Sequence, residues 1–136
     1  QPLEGRMPQR EMDHANDPRQ ALKEQIGNID DIEIFNNQIL VAVYIRPQKT
    51  KSGIYLPDSH VKEDEYQSKI GLVLKKGGMA FVDEDNQWFR DTKIELNDWI
   101  VFRPSDGWSV TINNNICRIL DDTAVRGRVQ KPDQIW

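Results

Sequence analysis

Short apolar runs alternate with long polar segments along this chain, and the apolar runs carry the β-branched residues typical of buried strands. The first run, residues 39–45, reads Ile-Leu-Val-Ala-Val-Tyr-Ile, and a second run occupies residues 69–75. Within the first run, the odd-numbered residues from Ile39 would face one side of a strand and the even-numbered residues from Leu40 the other. The pattern therefore predicts β structure from residue 32 onwards, with two buried strands at these runs.

Further strands are predicted towards the C-terminus. Residues 94–102 end in the buried run Trp99-Ile100-Val101-Phe102, and residues 108–112 and 116–120 flank the turn at 113–115 as a hairpin. Residues 125–129 add a short last strand. Many short strands joined by closely spaced turns predict an all-β fold, a small, partly closed β-barrel over residues 32–130.

Residues 77–92 are predicted to form another hairpin, with an acidic tip at residues 83–86 and aromatic legs. The aromatic residues are Phe81, Trp88 and Phe89. Trp88 and Phe89 have two interpretations: they pack on the barrel, which we favour, or they form an exposed contact patch.

The longest polar connection, residues 46–68, contains an isolated apolar triplet, Ile54-Tyr55-Leu56. Gly53 gives the backbone freedom before the triplet, and Pro57 restrains Leu56 to an extended conformation. A connection of this length is usually functional or disordered. The segment is therefore predicted to be a docking loop that becomes ordered against a protein partner. The alternative is that Ile54 and Leu56 fold back onto their own barrel.

Residues 1–31 are predicted to form an extended N-terminal arm. Its helix-capable piece is residues 20–26, with Asp17 as a possible N-cap and Pro18 in the first turn. The apolar stripe of this piece is thin and includes Leu22 and Ile26. Such an arm cannot fold alone, so we expect it to be disordered or to acquire order on a neighbour.

The C-terminal tail, residues 131–136, ends in Ile135 and Trp136. An aromatic residue on a polar tail is the kind of anchor that protein interfaces favour. Together with Leu22 and Ile26 of the arm, these residues are predicted to contact a neighbouring molecule.

The composition favours one domain and argues against a nucleic-acid-binding surface. The 136 residues carry a net charge of −4, with 38% apolar and 29% charged residues, whereas phosphate binding needs clustered Lys and Arg. No apolar run approaches the ~20 residues that span a bilayer, and we find no signal-peptide core. The unpaired Cys117 is predicted to be a small buried hydrophobe in a reducing compartment.

The chain offers little for catalysis, and we predict a non-enzyme without a metal, a cofactor or a small-molecule substrate. His14 and His60 are both expected to be solvated, because neither has an evident orienting partner. No Cys or His cluster has the spacing of a zinc site. Residues 75–78 lack the spacing of a phosphate loop, and the acidic residues 83–85 lack the closing glutamate of a calcium loop.

Four motifs follow one another along the chain: the first strand, the segment Thr50-Lys51-Ser52-Gly53-Ile54-Tyr55-Leu56-Pro57-Asp58, the strand Gly71-Leu72-Val73-Leu74, and residues 94–102 with Asn97-Asp98. In this order they resemble a GroES-type co-chaperonin, over residues 32–130. The resemblance implies a small β-barrel, a Gly-Ile-x-Leu loop that docks on a chaperonin ring, and a hairpin that forms a roof. It also implies a ring closed by pairing an apolar last strand with the first strand of the next subunit.

Three features depart from that family. They are the arm before the first strand, the last strand weakened by Gly127 and carrying Arg126 and Arg128, and the tail that ends at Trp136. These departures favour a phage-encoded, divergent member that serves as a structural protein. Our preferred hypothesis is therefore a decoration (cement) subunit, bound to a larger shell such as a phage capsid through its arm and loop.

The alternative hypothesis is a co-chaperonin, a ring lid that docks on a chaperonin via Ile54-Tyr55-Leu56 and assists protein folding. Both hypotheses expect a homo-oligomeric or lattice-bound protein with protein partners, and neither expects a nucleic acid or a membrane. The first places the protein in a host cytoplasm or a virion, and the second in the cytoplasm.

Overall fold

The structure is a computed structural model that describes residues 12, 14, 17–47, 53–57, 59–82, 89 and 93–135. Within these residues the body is one antiparallel sheet of six strands, accompanied by two short helices, α1 (Pro18–Ile26) and α2 (His60–Gln67). The strands are β1 (Gln38–Val43), β2 (Ile70–Lys76), β3 (Trp99–Val101), β4 (Trp108–Ile112), β5 (Asn115–Asp121) and β6 (Gly127–Val129), in the spatial order β4-β5-β1-β2-β3-β6. The predicted all-β fold is confirmed, and the described sheet stays open, with β4 and β6 at its edges.

Strand β1 lies between β5 and β2 and is buried on both faces, as its apolar sequence predicts. Its odd-numbered and even-numbered residues enter two different apolar clusters. The first core cluster contains Ile26, Leu40, Ala42, Tyr44, Ile70, Leu72, Leu74, Trp99 and Cys117. The second core cluster contains Ile39, Val41, Val73, Ile94, Ile100, Phe102 and Leu120.

The hairpin between β4 and β5 turns through Asn113 and Asn114, whose φ angles are 50° and 66°. Asparagine tolerates this left-handed conformation better than most residues, and consecutive residues with positive φ match the twist of a hairpin. Ile112 pairs with Asn115 next to the turn, and the register runs on to the pair Trp108 and Ile119. The hairpin predicted at this place is therefore present.

Helix α1 lies against the chain's own core. It begins at Asp17, whose side chain accepts a hydrogen bond from the backbone N–H of Arg19, followed by Pro18, as the sequence predicts. At its other end Ile26 is 1% exposed and belongs to the first core cluster. The last backbone carbonyls of α1 are capped from the β4–β5 hairpin, because the Nδ2 atoms of Asn113 and Asn115 donate to carbonyl oxygens of residues 26 and 25 at 2.5 and 2.9 Å.

For the described residues 12, 14 and 17–31, this packing corrects the expectation that the arm is disordered or depends on a neighbour for order. In the described part of this segment, Met12 is 1% exposed, and Ile29 continues over the first core cluster after α1 ends. The apolar stripe of α1 is too thin to stabilise an isolated helix. Most helical stability in proteins comes from tertiary packing, and here the chain's own sheet provides it.

The second core cluster is covered by the turn after β2. Phe81 packs against this cluster, has a φ of 61°, and donates its backbone N–H to Oδ2 of Asp122 at 3.0 Å. Its ring meets the ring of Phe89 edge-on, with 5.5 Å between centroids. Of the predicted hairpin at 77–92, the structure describes residues 77–82 and 89, which include the turn at 78–81. Trp88 and the acidic tip lie outside the described residues.

Candidate docking loop

Two of the three residues in the apolar triplet of the docking loop are exposed. Gly53 has a φ of 93°, in the left-handed region that favours glycine, and a side chain there would meet no atom within 4 Å. The following Ile54 is 50% exposed and Tyr55 is 66% exposed. Leu56 is partly covered, and Pro57 is exposed. Two adjacent large apolar side chains in solvent form a surface that a partner can bury.

The tip is not detached from the rest of the molecule. Tyr55 takes part in an isolated β-bridge, and both Ile54 and Tyr55 interact with other residues of the chain. The tip therefore combines a positioned backbone with exposed side chains at Ile54 and Tyr55. Of the two residues that the alternative folds back onto the barrel, Ile54 is exposed and Leu56 is partly covered, and docking stays a prediction.

Helix α2 follows the tip directly, where the sequence predicts a polar loop. The backbone N–H of His60 donates to the carbonyl oxygen of Pro57 at 3.0 Å, which turns the chain into the helix. The two buried residues of α2 are His60 and Asp64, one helical turn apart, while Val61 and Tyr66 are exposed. The helix thus turns a polar face inward, which is the reverse of an ordinary amphipathic surface helix.

Three residues bind the two ends of the loop to each other, and we call them the loop latch: Arg46, His60 and Asp64. The carboxylate of Asp64 is fully buried and accepts from the Arg46 backbone N–H at 2.8 Å, from Arg46 Nη2 at 2.8 Å and from Arg46 Nε at 3.1 Å. His60 Nε2 lies 2.7 Å from the carbonyl oxygen of Arg46, and His60 Nδ1 lies 3.0 Å from that of Pro57.

The expectation that both histidines are solvated is wrong. His60 is 6% exposed within the loop latch, and His14 is half-buried against two partners. The spacing of His60 and Asp64 by one helical turn was the available signal for a shared helix face. Their common partner Arg46 lies 18 positions before Asp64, and the sequence does not bring it near.

A second polar cluster joins the two termini at the end of β1, and we call it the terminal clasp: Met12, His14, Tyr44 and Asp133. The Asp133 carboxylate accepts from the Tyr44 hydroxyl at 2.5 Å, from His14 Nε2 at 3.0 Å and from the Met12 backbone N–H at 3.0 Å. The Tyr44 hydroxyl also lies 3.2 Å from His14 Nε2. The clasp therefore holds part of the arm and the C-terminal tail beside the start of the docking loop.

Burial and hydrogen bonding shift two pKa values in the terminal clasp. Burial by itself would raise the pKa of Asp133, but the hydrogen bonds from His14, Tyr44 and the Met12 N–H outweigh it and hold that pKa below its ordinary value. Burial, and then the hydrogen bond to the Asp133 carboxylate, raise the pKa of Tyr44. Asp133 is thus held as a carboxylate and Tyr44 as a neutral donor.

The other predicted contact residues fall in different surroundings. Ile26 is enclosed by the chain's own core, which leaves it no surface for a neighbour, and Leu22 is half-buried against the same core. Ile135 is 37% exposed and stays a predicted contact, while Trp136 lies outside the described residues. Phe81 and Phe89 are half-buried against each other.

Among the described side chains we find neither a candidate metal site nor a reactive cysteine. In that part of the chain no group of three His, Cys, Asp or Glu residues could hold a metal ion, and no helix is long and apolar enough to cross a membrane. Cys117 is fully buried in β5, and burial raises the pKa of its thiol to about 11. A thiol in this state is a core side chain and not a nucleophile.

An antiparallel sheet of short strands with a long loop between its two central strands defines a small all-β protein of the GroES-like class. Residues 31–129 match the family model described as "Chaperonin 10 Kd subunit". The chain is also 30% identical over 100 residues to the co-chaperonin GroES of Halothermothrix orenii, a match that covers 74% of this chain and 98% of that protein. The chain therefore belongs to the chaperonin 10 family.

Proposed function

We propose that this protein is a co-chaperonin, a non-catalytic lid that binds a chaperonin ring through its docking loop and so assists protein folding. The observation that carries the proposal is the exposed apolar tip, Ile54 and Tyr55, in a member of the chaperonin 10 family. The relative from Halothermothrix orenii, which is named a co-chaperonin, covers the segment that contains the loop and supports the same function.

The size of the apolar tip fits a reversible contact. Burying one side chain of the size of isoleucine contributes about 1.5–3 kcal/mol, which is roughly a factor of ten or more in affinity. A single loop would therefore bind weakly. Several copies acting together in an oligomer would bind far more tightly, because each further contact is intramolecular.

We place the contacts between subunits of such an oligomer at the two edge strands of the sheet. β4 and β6 each pair with one described strand and offer their other edge for pairing with another molecule. Contacts between two different edges are heterologous and can close a ring. Arg128 in β6 donates to the Lys93 carbonyl oxygen at 2.6 Å and lies 3.3 Å from Asp98 Oδ2, so its charge is held within the subunit.

The shell-decoration hypothesis, which the sequence favoured, loses its main support. It depended on an arm that needs a neighbour, whereas Met12 and Ile26, the buried residue of α1, are enclosed by this chain's own body. The family match and the named relative favour the alternative, the co-chaperonin. No finding connects this chain with a capsid.

The test is binding of the full chain to a purified bacterial chaperonin, with and without ATP, followed by refolding of a denatured substrate protein. Light scattering on the isolated protein would report the proposed oligomer. In the variant Ile54→Ser the affinity per loop is expected to fall about tenfold or more, because the buried side chain is removed from the contact.

The matched control is Val61→Ser, which removes another exposed β-branched side chain, 43% exposed, from α2 just beyond the tip. We expect this variant to bind like the unaltered protein. Absence of binding and of refolding assistance by the unaltered chain, or equal losses in both variants, would contradict the proposed function.

A further inference from the structure

The loop latch joins the two ends of the docking loop at a point well beyond the ends of the sheet. The β1–β2 ladder ends where the Tyr44 N–H donates to the Ile70 carbonyl oxygen. Without the latch, the chain between these residues would be one long loop. With it, His60 meets both Arg46 and Pro57, so the part free of latch contacts begins after Arg46 and ends before Pro57.

Helix α2 is held by the loop latch and not by apolar burial. Its two buried side chains are both polar, His60 and Asp64, and each bonds to Arg46. Its large apolar side chains, Val61 and Tyr66, face solvent at 43% and 61% exposure. Helix α1 is held by the apolar contacts of Ile26, whereas neither buried residue of α2 is apolar.

A fully buried carboxylate is an inefficient way to add stability, since desolvation offsets much of the attraction between the charges. Buried ion pairs of this kind are better suited to fixing one geometry than to strengthening a fold. Arg46 fits that purpose, because its planar guanidinium and its backbone N–H both bind one carboxylate.

We propose that Arg46, His60 and Asp64 are positioning residues that hold the docking loop short and α2 in place, so that the Ile54-Tyr55 tip is presented in advance of binding. This inference rests on the proposed function for its effect on affinity, but the latch itself can be tested on the protein alone. A loop closed near its tip has fewer conformations to lose on binding than one closed only at the sheet.

The test variant is Asp64→Asn, and the matched control is Glu63→Gln, which makes the same chemical change at the exposed neighbouring position of α2. In Asp64→Asn we expect amide hydrogen exchange in residues 60–67 to accelerate at least about tenfold, while the amides of β1 and β2 keep their rates. Cleavage by trypsin after Lys62 should accelerate as well, because a protease needs the helix to open. Glu63→Gln should change neither rate.

The effect on docking follows from the longer free loop. Closure entropy scales with the logarithm of loop length, so the affinity per loop for a purified bacterial chaperonin should fall about three- to tenfold in Asp64→Asn. Arg46→Lys keeps the charge but loses the two-pronged geometry, and it should produce a smaller change in the same direction. This second variant replaces the first should Asp64→Asn fail to fold.

The outcomes separate the two proposals. If the rate of amide hydrogen exchange in α2 is unchanged in both Asp64→Asn and Arg46→Lys, the latch is overturned, whatever the chaperonin assay shows. Faster exchange in α2 with unchanged or tighter binding keeps the latch but overturns its positioning role. Faster exchange in α2 together with no chaperonin binding by the unaltered chain leaves the latch standing and overturns the proposed function.

Discussion

The N-terminal arm and the docking loop are both polar segments that contain a few apolar residues and a short helix, yet the two segments are held in opposite ways. The arm buries Ile26 in the first core cluster and Met12 within the terminal clasp. The loop leaves Ile54 and Tyr55 exposed and fastens its helix by an ion pair. Apolar content alone therefore does not distinguish a segment of the body from a segment offered to a partner.

The difference lies in what each helix turns towards the sheet. α1 ends in an isoleucine that the sheet can enclose, and its last carbonyls meet side-chain amides of the β4–β5 hairpin. α2 turns His60 and Asp64 inward and keeps Val61 in solvent. Segments that depend on few buried apolar contacts open at low free energy, and docking segments belong to that group.

The largest effect is expected for Ile26→Ala, which tests whether the arm is part of the folded body. Removing a core isoleucine leaves a cavity, so we expect the free energy of unfolding to fall by about 2–5 kcal/mol, measured by urea denaturation. Lys23→Ala, at an exposed position of the same helix, is the control and should change stability by less than about 0.5 kcal/mol. A loss below about 1 kcal/mol for Ile26→Ala would show that the arm is not part of the body's cooperative unit.

The next largest effect is expected at the terminal clasp. Asp133→Asn removes the charge that three donors share and should lower the free energy of unfolding by about 1–3 kcal/mol at neutral pH. The pKa of Asp133 is lower in the folded protein than in the unfolded chain. Its contribution is therefore present above the unfolded value of 3.8 and is lost as the pH falls through the folded pKa.

The unaltered protein should accordingly lose more stability on acidification below pH 3.8 than Asp133→Asn does, as measured by urea denaturation at a series of pH values. Asp31→Asn, at an exposed position, is the control and should retain the pH dependence of the unaltered protein. Identical pH profiles for the unaltered protein and Asp133→Asn would remove the terminal clasp as a stabilising contact.

The smallest effect on global stability is expected at the loop. Gly53→Ala forces a side chain into a φ of 93°, which is locally unfavourable, but an exposed loop can relax. We expect the free energy of unfolding to change by less than about 0.5 kcal/mol, while the amide chemical shifts of residues 53–57 change. Gly78→Ala is the control, because its position is also open but its φ is not positive. Loss of global stability in Gly53→Ala alone would mean that the loop belongs to the body.

The strands were predictable because their residues carry the information locally. The two-faced apolar run at 39–45 specified the central strand β1, and the asparagine-rich turn at 113–115 specified the β4–β5 hairpin. The exposed tip could be predicted for a similar reason. Gly53 and Pro57 bracket an apolar triplet, and two of its residues, Ile54 and Tyr55, are exposed.

The arm, the loop latch and the terminal clasp could not be predicted, because their contacts join distant parts of the chain. The hydrogen bond from His14 to Asp133 spans 119 positions, and that from Asn113 to the end of α1 spans 87. Helix α2 was missed because its buried face is polar, so the usual apolar period is absent. Burial of apolar side chains is therefore easier to predict from a sequence pattern than the pairing of charged side chains.

The single cysteine has a practical consequence. Cys117 is fully buried in β5, the strand that pairs with both β1 and the edge strand β4. A thiol-reactive dye can reach it only when that part of the sheet separates. The rate of labelling at Cys117 should therefore report opening of the sheet and should not respond to movements of the docking loop.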